Sequence, residues 1–472
     1  MTDQVMRAGA APAAPARKRT TSIAALAACW VLAATYLQLI RGPGYRAPAV
    51  LWAEDGAVFL NQALRHSLWH NLFAPHAGYF QVIGRMLAQP AAHLPLSWAA
   101  LWFAAVAAVV VSLISVLVWF ASARVVRSRW ARALLTALVP LLPQAGYEVN
   151  AAVNDLHWYL ACAAFWVLLA APTTLRGQLG AAAVVVLAAL SDPLTALVLP
   201  AAVFGYLAVR RRIALLAPTA MVLALAVQGW VRWAHPDMYR VSPTVVGELP
   251  QIYALRVVLS AFTGDRMLGA VYPTWGMAVV VVAVLAFAAG FAGLLTRVPR
   301  RTGVLAVVTV LISIAYLVVP VGLRGTEGFL GRDGFGLGGS RYTIVPLLLL
   351  WAAVVVLLDA AVPAAPRTAR PPVVWVALSC FLGAQLLGDW AAPSVRTGGP
   401  TWAEGLRTAA AGCALPPAQR APQPVSPIGE NHGAGSVPLV PGPDERTVAI
   451  APLNPAGPPE FSVVVPCSAV RG

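Results

Sequence analysis

Two adjacent carboxylates, Glu54 and Asp55, lie in segment 52–56 (Trp-Ala-Glu-Asp-Gly), shortly after the first long apolar run of the chain. Such a pair at a membrane surface could act as a general base, orient an acceptor hydroxyl or hold a divalent cation. Asp55 also precedes a stretch with helical spacing, so a helix N-cap or a solvated turn is the alternative. The residues alone leave both interpretations open.

A second polar group lies in a short segment between two apolar runs. It contains four polar residues, followed at once by Trp158 and Tyr159: Asn150, Asn154, Asp155 and His157. A cluster so close to an apolar run could line a cavity shared with the first acidic pair. It could equally cap the helix that follows it.

Two arginines are candidates for contacting a phosphate. Arg85 lies on the polar side of residues 80–92, and Arg341 with Tyr342 begins a long apolar run. A guanidinium pairs bidentately with phosphate, whether the phosphate belongs to a bilayer lipid or to a bound substrate. The uncharged neighbours of Arg341 at 338–340 favour a specific role for this residue.

Other features of the sequence give weaker indications of a functional site. His66 and His70 have a spacing that can chelate zinc, but no third ligand follows at a recognisable spacing, so no metal site is predicted. Asp192 and Pro193 are expected to form a turn between two short apolar runs. No nucleotide-binding loop, zinc-protease helix or nucleophile elbow is present in the sequence.

The elements that must position these residues are membrane helices. The chain is 59% hydrophobic and 11% charged, with a mean hydropathy of +0.73. Several apolar runs reach or approach the roughly 20 residues that cross a bilayer. The sequence therefore predicts an all-α polytopic membrane protein with about 11 transmembrane helices, at 23–40, 99–120, 134–142, 157–171, 180–190, 194–209, 213–230, 277–295, 303–321, 343–362 and 373–390.

The net charge of +15 has a topological explanation. Arginine-rich groups fall at alternate ends of the predicted spans, as the positive-inside rule requires of cytoplasmic segments. This predicts a plasma-membrane protein with a cytoplasmic N-terminus (1–20), a transmembrane domain (21–390) and an extracytoplasmic C-terminal segment (391–472). The first span is expected to be retained rather than cleaved as a signal peptide. The bilayer, and no nucleic acid, is the expected partner.

The first extracytoplasmic loop, residues 42–97, is predicted to contain two interfacial helices. Residues 57–71 and 80–92 each place apolar side chains at helical spacing opposite polar ones. Such stretches are typical of helices that lie along the membrane surface.

The C-terminal segment is predicted to be a small β-containing tail. It has two short β-like runs, 447–451 and 461–466, separated from the last span by a Pro/Gly-rich stretch. Cys413 and Cys467 are its only cysteines, and an oxidising compartment would permit them to pair. Two free thiols are the alternative.

A first span, a large outer loop opening with an acidic pair, two interfacial helices and many further spans together resemble the GT-C superfamily of membrane glycosyltransferases. More closely, several short motifs resemble a group of actinobacterial membrane proteins. These motifs are 52–56, Pro-His-Ala-Gly-Tyr at 75–79, Arg85, Asn-Asp-Leu-His-Trp-Tyr at 154–159, Arg341-Tyr342 and the paired terminal cysteines.

The resemblance implies transfer of a sugar from a polyprenyl-phosphate donor, a lipid-linked sugar, to an extracytoplasmic acceptor of the cell envelope. It implies that Asp55 or Glu54 is the catalytic base or the group that orients the acceptor, and it allows a divalent cation as cofactor. The residues expected to contact substrate or phosphate are Arg85, Arg341, Tyr342, His76, Asn154, Asp155 and His157.

Two other classes remain as alternatives. A lipid or sugar transporter or flippase would place charges within spans, and here few ionisable residues lie mid-span and the two halves show no repeat. A non-catalytic envelope membrane protein would explain the short tail and the absence of a lipid-donor signature. It would leave the polar clusters beside the first loop without a role.

Overall fold

The structure is a computed structural model that describes residues 16–44, 46–236, 243–330, 341–362, 372–416, 419, 441–450 and 461–470. Within these residues the chain forms mainly helices and one two-stranded antiparallel sheet, β1 (Glu445–Ile450) with β2 (Phe461–Pro466). The helices are α1 (Ala16–Ile40), α2 (Asn61–Arg65), α3 (Leu68–Leu72), α4 (Val82–Ala88), α5 (Ala99–Ala121), α6 (Arg129–Leu141), α7 (Leu156–Ala170), α8 (Leu175–Ser191), α9 (Pro200–Val209), α10 (Leu216–Ala234), α11 (Leu249–Tyr253), α12 (Ser260–Trp275), α13 (Met277–Leu295), α14 (Arg300–Arg324), α15 (Arg341–Ala361), α16 (Val373–Trp390), α17 (Trp402–Ala414) and α18 (Cys467–Val470).

Multiple apolar helices indicate a multi-pass membrane protein. In the described part of the chain, seven helices are long and apolar enough to cross a membrane: Ile23–Ile40, Leu96–Arg124, Arg212–Ala234, Met277–Leu295, Arg300–Arg324, Arg341–Ala361 and Val373–Trp390. Three further apolar helices are shorter: Leu156–Ala170, Leu175–Ser191 and Pro193–Val209. Each predicted span overlaps a helix, but the predicted count of about 11 is not confirmed.

Helix α7 shows why a short apolar helix can belong to this bundle. Its 15 residues rise only about 22 Å, less than the roughly 30 Å of hydrocarbon. Almost every side chain of α7 is buried, including Trp158 and Phe165, and it packs against α5, α8, α9 and α15. A helix that is apolar all round is stable when other helices surround it. Helix α13, by contrast, exposes Val282 and Leu285 at the edge of the bundle.

The interface between α1 and α5 is a seam of small and polar residues. The indole N–H of Trp30 donates to Ser115 Oγ at 2.8 Å. Gln38 Nε2 donates to Ala108 O at 3.1 Å and to Ser112 Oγ at 3.0 Å. Helices in lipid gain no hydrophobic drive from associating, so close packing and interhelical hydrogen bonds hold them together.

At one end of the bundle, the segment between α5 and α6 contacts the ends of α7 and α15. The charge pattern predicts that these helix ends lie on the same side of the membrane. The backbone N–H groups of Arg127 and Ser128 donate to the carboxylate of Asp359 at 2.7 and 2.9 Å. Arg124 Nε donates to Ala170 O at 3.3 Å. These ends therefore lie together. Which side of the membrane they occupy stays a prediction.

The first predicted interfacial helix is interrupted, and its polar side is covered by protein; its position at a membrane surface stays a prediction. Residues 57–71 form a π-helical turn (Asp55–Leu60), α2 and α3, and the polar Asn61 is buried rather than turned to water. Asn61 Nδ2 donates to Ser462 O at 3.1 Å, and Asn61 Oδ1 accepts the N–H of Val464 at 2.9 Å. The side-chain amide pairs with β2 as a neighbouring strand would, so the C-terminal sheet covers the polar side of this stretch.

The second predicted interfacial helix buries one residue of its predicted polar side and exposes one of its predicted apolar side. In α4 the polar Arg85 is 2% exposed, whereas the apolar Met86 is 45% exposed. Arg85 Nη2 donates to Gln62 Oε1 at 3.1 Å, and its guanidinium lies 5.9 Å from the centre of the Phe59 ring. The charged group of Arg85 is therefore turned into the protein, while the apolar Met86 is turned outward. Burial lowers the pKa of Arg85 to about 10.

The C-terminal segment folds back on the first loop. β1 and β2 coincide closely with the two predicted β-like runs, and Cys413 and Cys467 form a disulfide that ties α17 to α18. The indole N–H of Trp402 donates to Leu96 O at 2.5 Å. The Pro/Gly-rich middle of the tail falls largely outside the described residues.

Close packing between the sheet and the first loop can be tested at Gly56. A Cβ at Gly56 would lie 2.5 Å from Ile450 Cδ1 and 2.8 Å from Val463 Cγ2. We expect Gly56→Ala to lower the free energy of unfolding by about 1–3 kcal/mol, the usual cost of overpacking. Thermal unfolding in detergent micelles, followed by tryptophan fluorescence, measures this as a lower Tm.

Gly180→Ala in α8 is the matched control, because nothing lies within 4 Å of the added Cβ. Alanine is the better helix former, so its Tm should stay the same or rise slightly. Equal Tm values for Gly56→Ala and the wild type would contradict the contact between sheet and loop.

Candidate functional site

A polar cavity of 480 Å³ lies at the end of the bundle where α7 and α15 begin and where α8, α10 and α14 end. Its walls combine polar and apolar side chains from segments that are far apart in sequence. The charged and polar residues that line it include Glu54, His76, Tyr79, Gln81, Asn154, His157, Asp192, Arg232, Arg324 and Arg341.

The adjacent carboxylates point in different directions. Glu54 lines the cavity and accepts a hydrogen bond from Asn154 Nδ2 at 3.2 Å. Asp55 is 1% exposed, is absent from the cavity wall and accepts the backbone N–H groups of Val153 and Asn154 at 3.1 and 2.6 Å. Successive residues of a helical turn project about 100° apart, and here the hydrogen bonds of Asp55 to the segment before α7 turn its side chain away from the cavity that Glu54 lines.

Asp55 joins the first loop to the turns that precede α7. Burial raises the pKa of its carboxyl to about 7, against the opposing effects of nearby Arg396 and the two backbone N–H donors. Arg396 Nη1 donates to Asn150 O at 2.8 Å, and its guanidinium lies 5.6 Å from the centre of the Trp52 ring. The acid therefore holds a junction between three segments of the chain.

Arg341 stands between two acids. Its Nη1 lies 3.8 Å from Glu54 Oε1, and its Nε lies 3.3 Å from Glu148 Oε1. Its backbone N–H also donates to Glu148 Oε2 at 2.9 Å, at the start of α15. Glu148 was not singled out in the sequence, although it lies in the same short segment as Asn150 and Asn154.

A tight turn brings two more side chains to the cavity. His76 and Tyr79 pair through both backbone hydrogen bonds, and the residues between them, Ala77 and Gly78, have φ values of +51° and +82°. Gln228 of α10 holds the next residue, since its Oε1 accepts the N–H of Phe80 at 2.9 Å. The Pro-His-Ala-Gly-Tyr string is therefore a turn that faces His76 and Tyr79 to the cavity.

Most of the predicted site residues come together. His157 Nδ1 lies 2.7 Å from Asn154 O, at the first turn of α7. Six of the predicted residues line the cavity: Glu54, His76, Asn154, His157, Arg341 and Tyr342.

Two of the other predicted residues lie behind the wall. Asp155 is fully buried and outside the lining, and burial, followed by the charge of nearby Glu148, raises the pKa of its carboxyl. Arg85 is outside the lining as well, held by Gln62 in the first loop. Its long side chain turns into the protein, so the expectation that it meets substrate gains no support from the geometry.

The sequence analysis missed three charged residues of the cavity. Asp192 forms the expected turn, since its Oδ1 accepts the N–H of Leu194 at 2.9 Å, but it also lines the cavity while only 2% exposed. Arg232 and Arg324, at the ends of α10 and α14, line the cavity with exposed side chains. In the sequence they resemble ordinary arginines at helix ends that extend to the membrane interface.

The side of the cavity that carries these arginines bears the marks of a membrane interface. Trp233 and Leu323, their sequence neighbours, are 78% and 44% exposed. Exposed aromatic and apolar side chains beside arginines are typical of the level of lipid head groups. We call this side, defined by Arg232, Trp233, Leu323 and Arg324, the cavity mouth.

A metal centre was tested against the geometry. Among the described residues, no group of three or more His, Cys, Asp or Glu side chains is placed to hold a metal ion. His66 and His70 stack on each other with ring centres 4.3 Å apart in the first loop, away from the polar cavity.

The fold and this site define a polytopic helical membrane protein with a polar cavity at one end of its bundle. No family model and no curated protein matches the chain. Among solved structures, the chain is similar to the single-particle cryo-EM structure of arabinofuranosyltransferase AftD from Mycobacteria, with 20% sequence identity and a TM-score of 0.42. The match covers 77% of this chain and 26% of that one, so this chain spans only a part of that protein's length.

The buried carboxyl of Asp55 predicts a pH dependence of stability. Its folded pKa of about 7 exceeds the model-peptide value of 3.8, so the folded state holds this proton more tightly than the unfolded state. The stability that this site contributes is complete at low pH and is lost as the pH rises from about 4 through 7. Asp55→Asn is uncharged throughout, so its Tm relative to wild type should be higher at pH 8 than at pH 5.

Asp55→Ala is the control for this measurement. It deletes both acceptors of the Val153 and Asn154 N–H groups, so its Tm should be below that of Asp55→Asn at both pH values. A difference between Asp55→Asn and wild type that does not change with pH would contradict titration of Asp55 in this window.

Proposed function

We propose that this protein is a membrane glycosyltransferase that moves a sugar from a polyprenyl-phosphate donor to an extracytoplasmic acceptor. One observation carries the proposal: a single cavity has a carboxylate, Glu54, in its wall and two exposed arginines, Arg232 and Arg324, at its mouth. Its volume of 480 Å³ lies within the ~300–1,000 Å³ of ordinary ligand sites.

The mouth suits a lipid phosphate. A phosphate placed between Arg232 and Arg324 would meet cationic donors while its hydrocarbon chain stays against exposed apolar side chains such as Trp233. These two residues take the role that the sequence suggested for Arg85. The sugar on that phosphate would then extend into the cavity, toward Glu54.

Glu54 is the better placed of the two acids to serve as the base. It faces the cavity, Asn154 Nδ2 fixes one of its oxygens, and Arg341 lies beside the other. Asp55 acts through the backbone of Val153 and Asn154 as a positioning residue. Arg341, shared between Glu54 and Glu148, holds the acid in place rather than the donor phosphate.

The reaction is a single displacement at the anomeric carbon. The carboxylate of Glu54 takes the proton of an acceptor hydroxyl as the acceptor oxygen forms a bond to that carbon. The bond from the anomeric carbon to the phosphate oxygen breaks, and its electron pair leaves with the polyprenyl phosphate. The arginines at the mouth stabilise the charge of the leaving group.

Replacing one acid at a time tests this assignment. Glu54→Gln keeps the shape of the side chain and removes the base, so transfer should fall about 10²–10⁴-fold. Asp55→Asn should retain clearly more activity, because its amide still offers one acceptor to the backbone. The readout is transfer of labelled sugar from a synthetic polyprenyl-phosphate sugar by membranes containing wild type or variant.

A deletion strain of the source organism supplies the acceptor that an assay in vitro lacks. Loss of an envelope glycan, or accumulation of a lipid-linked sugar, should be reversed by wild type and not by Glu54→Gln expressed at the same level. Full complementation by Glu54→Gln would exclude Glu54 as the base. An unchanged glycan and lipid profile in the deletion strain would instead favour transport or a structural role.

The arginines at the mouth predict an effect on donor binding. Arg324→Gln should raise the KM for the donor about 10–100-fold, the value of one lost charge-assisted hydrogen bond, with a smaller change in kcat. Arg266→Gln, at an exposed arginine of α12 outside the cavity lining, is the control and should leave KM unchanged. Equal KM values for the two variants would remove Arg324 from the phosphate site.

A further inference from the structure

We infer that Asp192 and Trp158 form a recognition site for the hydroxyl groups of a neutral sugar ring in the same cavity. The inference rests on the proposed function for the identity of the ligand. It adds the side chains that would distinguish the sugar from the lipid phosphate that carries it.

Asp192 supplies an acceptor. It lies between α8 and the 3₁₀ turn Pro193–Val198, lines the cavity and is only 2% exposed. Its Oδ1 is used by the N–H of Leu194 at 2.9 Å. Its Oδ2 is buried and has no hydrogen-bond partner among the described residues. A buried carboxylate oxygen is costly to leave without a donor, so its presence in a cavity wall points to a ligand.

Trp158 supplies a donor. It lies in the first turn of α7, lines the cavity and is 3% exposed. Its indole Nε1 is buried and, within the described part of the chain, has no acceptor. An indole N–H can only donate. An ionised carboxylate can only accept, and its protonated form, which burial favours by raising the pKa of Asp192 to about 7, can also donate. A hydroxyl group does both, so a ligand with several hydroxyls can satisfy Asp192 and Trp158 together.

The surroundings of Trp158 suit a ring with apolar faces. Trp158 meets Tyr342 edge to face, with ring centres 5.6 Å apart and planes at 79°, and Tyr342 also lines the cavity. Tyr316 packs on Trp158 at 6.2 Å and 70°. Aromatic walls with a few convergent polar groups are the usual make-up of a small-molecule site.

Charge places the two ends of the ligand. Arg232 and Arg324 are exposed at the mouth, whereas Asp192 is almost fully buried. An anionic group is attracted to the arginines and is repelled by Asp192 when that acid is ionised, so the phosphate belongs at the mouth. The neutral hydroxyls of the sugar belong against Asp192 and Trp158.

Binding measured without catalysis tests the site. Isothermal titration calorimetry on the full chain in nanodiscs compares farnesyl phosphate with farnesyl-phosphoryl pentose and farnesyl-phosphoryl hexose. Wild type should bind at least one of the sugar conjugates more tightly than farnesyl phosphate. Asp192→Asn keeps the acceptor for Leu194 and replaces the other oxygen by a donor; Trp158→Phe removes the indole N–H. Each should weaken conjugate binding about tenfold or more and leave farnesyl phosphate binding unchanged.

Trp351→Phe is the matched control. The indole Nε1 of Trp351, on α15, is also buried without a partner among the described residues, but Trp351 is not part of the cavity wall. This variant should bind every probe as wild type does. Thermal unfolding of all variants identifies any that fail to fold. If either Asp192→Asn or Trp158→Phe does not fold, the binding data of the other variant test the inference.

Three results would overturn the inference. In the first, wild type binds both sugar conjugates no more tightly than farnesyl phosphate. In the second, both Asp192→Asn and Trp158→Phe bind the conjugates as wild type does. In the third, the variants lose as much affinity for farnesyl phosphate as for its conjugates. The outcomes are separable from those of the proposed function. Conjugate binding sensitive to Asp192→Asn, in a protein that transfers no sugar, would support this site and reject the glycosyltransferase. Transfer that depends on Glu54, with conjugate binding insensitive to both variants, would do the reverse.

Discussion

The carboxylate of Asp55 and the two backbone N–H groups that it accepts, from Val153 and Asn154, form the contact on which the site depends. This contact crosses about a hundred residues of sequence and joins the first loop to the segment that begins α7. Glu54 follows from it, because the neighbouring acid can meet Asn154 Nδ2 only when the two segments are held together. Arg341 then connects both to α15 through Glu54 and Glu148.

The second constraint is that polar side chains of the first loop are buried and need partners within the protein. In α4 the arginine is buried and the methionine is exposed, and in α2 an asparagine is covered by a β-strand. Buried polar atoms need hydrogen-bond partners, since an unsatisfied buried polar group costs free energy. The first loop therefore obtains its partners from the C-terminal sheet, and the tail, closed by the disulfide of Cys413 and Cys467, becomes part of the support of the cavity.

The cavity combines two requirements that oppose each other. Cations at an exposed mouth attract an anionic lipid head group, whereas a buried acid such as Asp192 is costly unless a donor reaches it. Under the proposed function, this separation by burial would let one cavity treat the two ends of an amphiphilic ligand differently. A site built in this way can select its ligand by charge at the mouth and by hydrogen bonding inside.

Much of the fold was accessible from the sequence. Composition and the length of the apolar runs determined the membrane class, and each predicted span overlaps a helix, because burial in lipid requires nothing beyond an apolar segment that satisfies its own backbone. The two β-like runs of the tail became β1 and β2, since both contain β-branched residues, which favour strands; burial alternates along β1, whereas β2 is buried along nearly its whole length. The acidic pair was also visible in the sequence as residue types. So were the polar group of Asn154 and His157 and the pair Arg341 and Tyr342.

Which side chains face the cavity was decided only by the tertiary structure. Adjacent Glu54 and Asp55 look equivalent in the sequence, yet one lines the cavity and the other bonds to backbone. Arg85 looked like a surface residue and is buried, while Asp192 looked like a simple turn and is part of the wall. Local sequence specifies helices, turns and strands because their hydrogen bonds are local. The direction of a polar side chain depends on partners brought from distant segments, and no pattern along the chain records those.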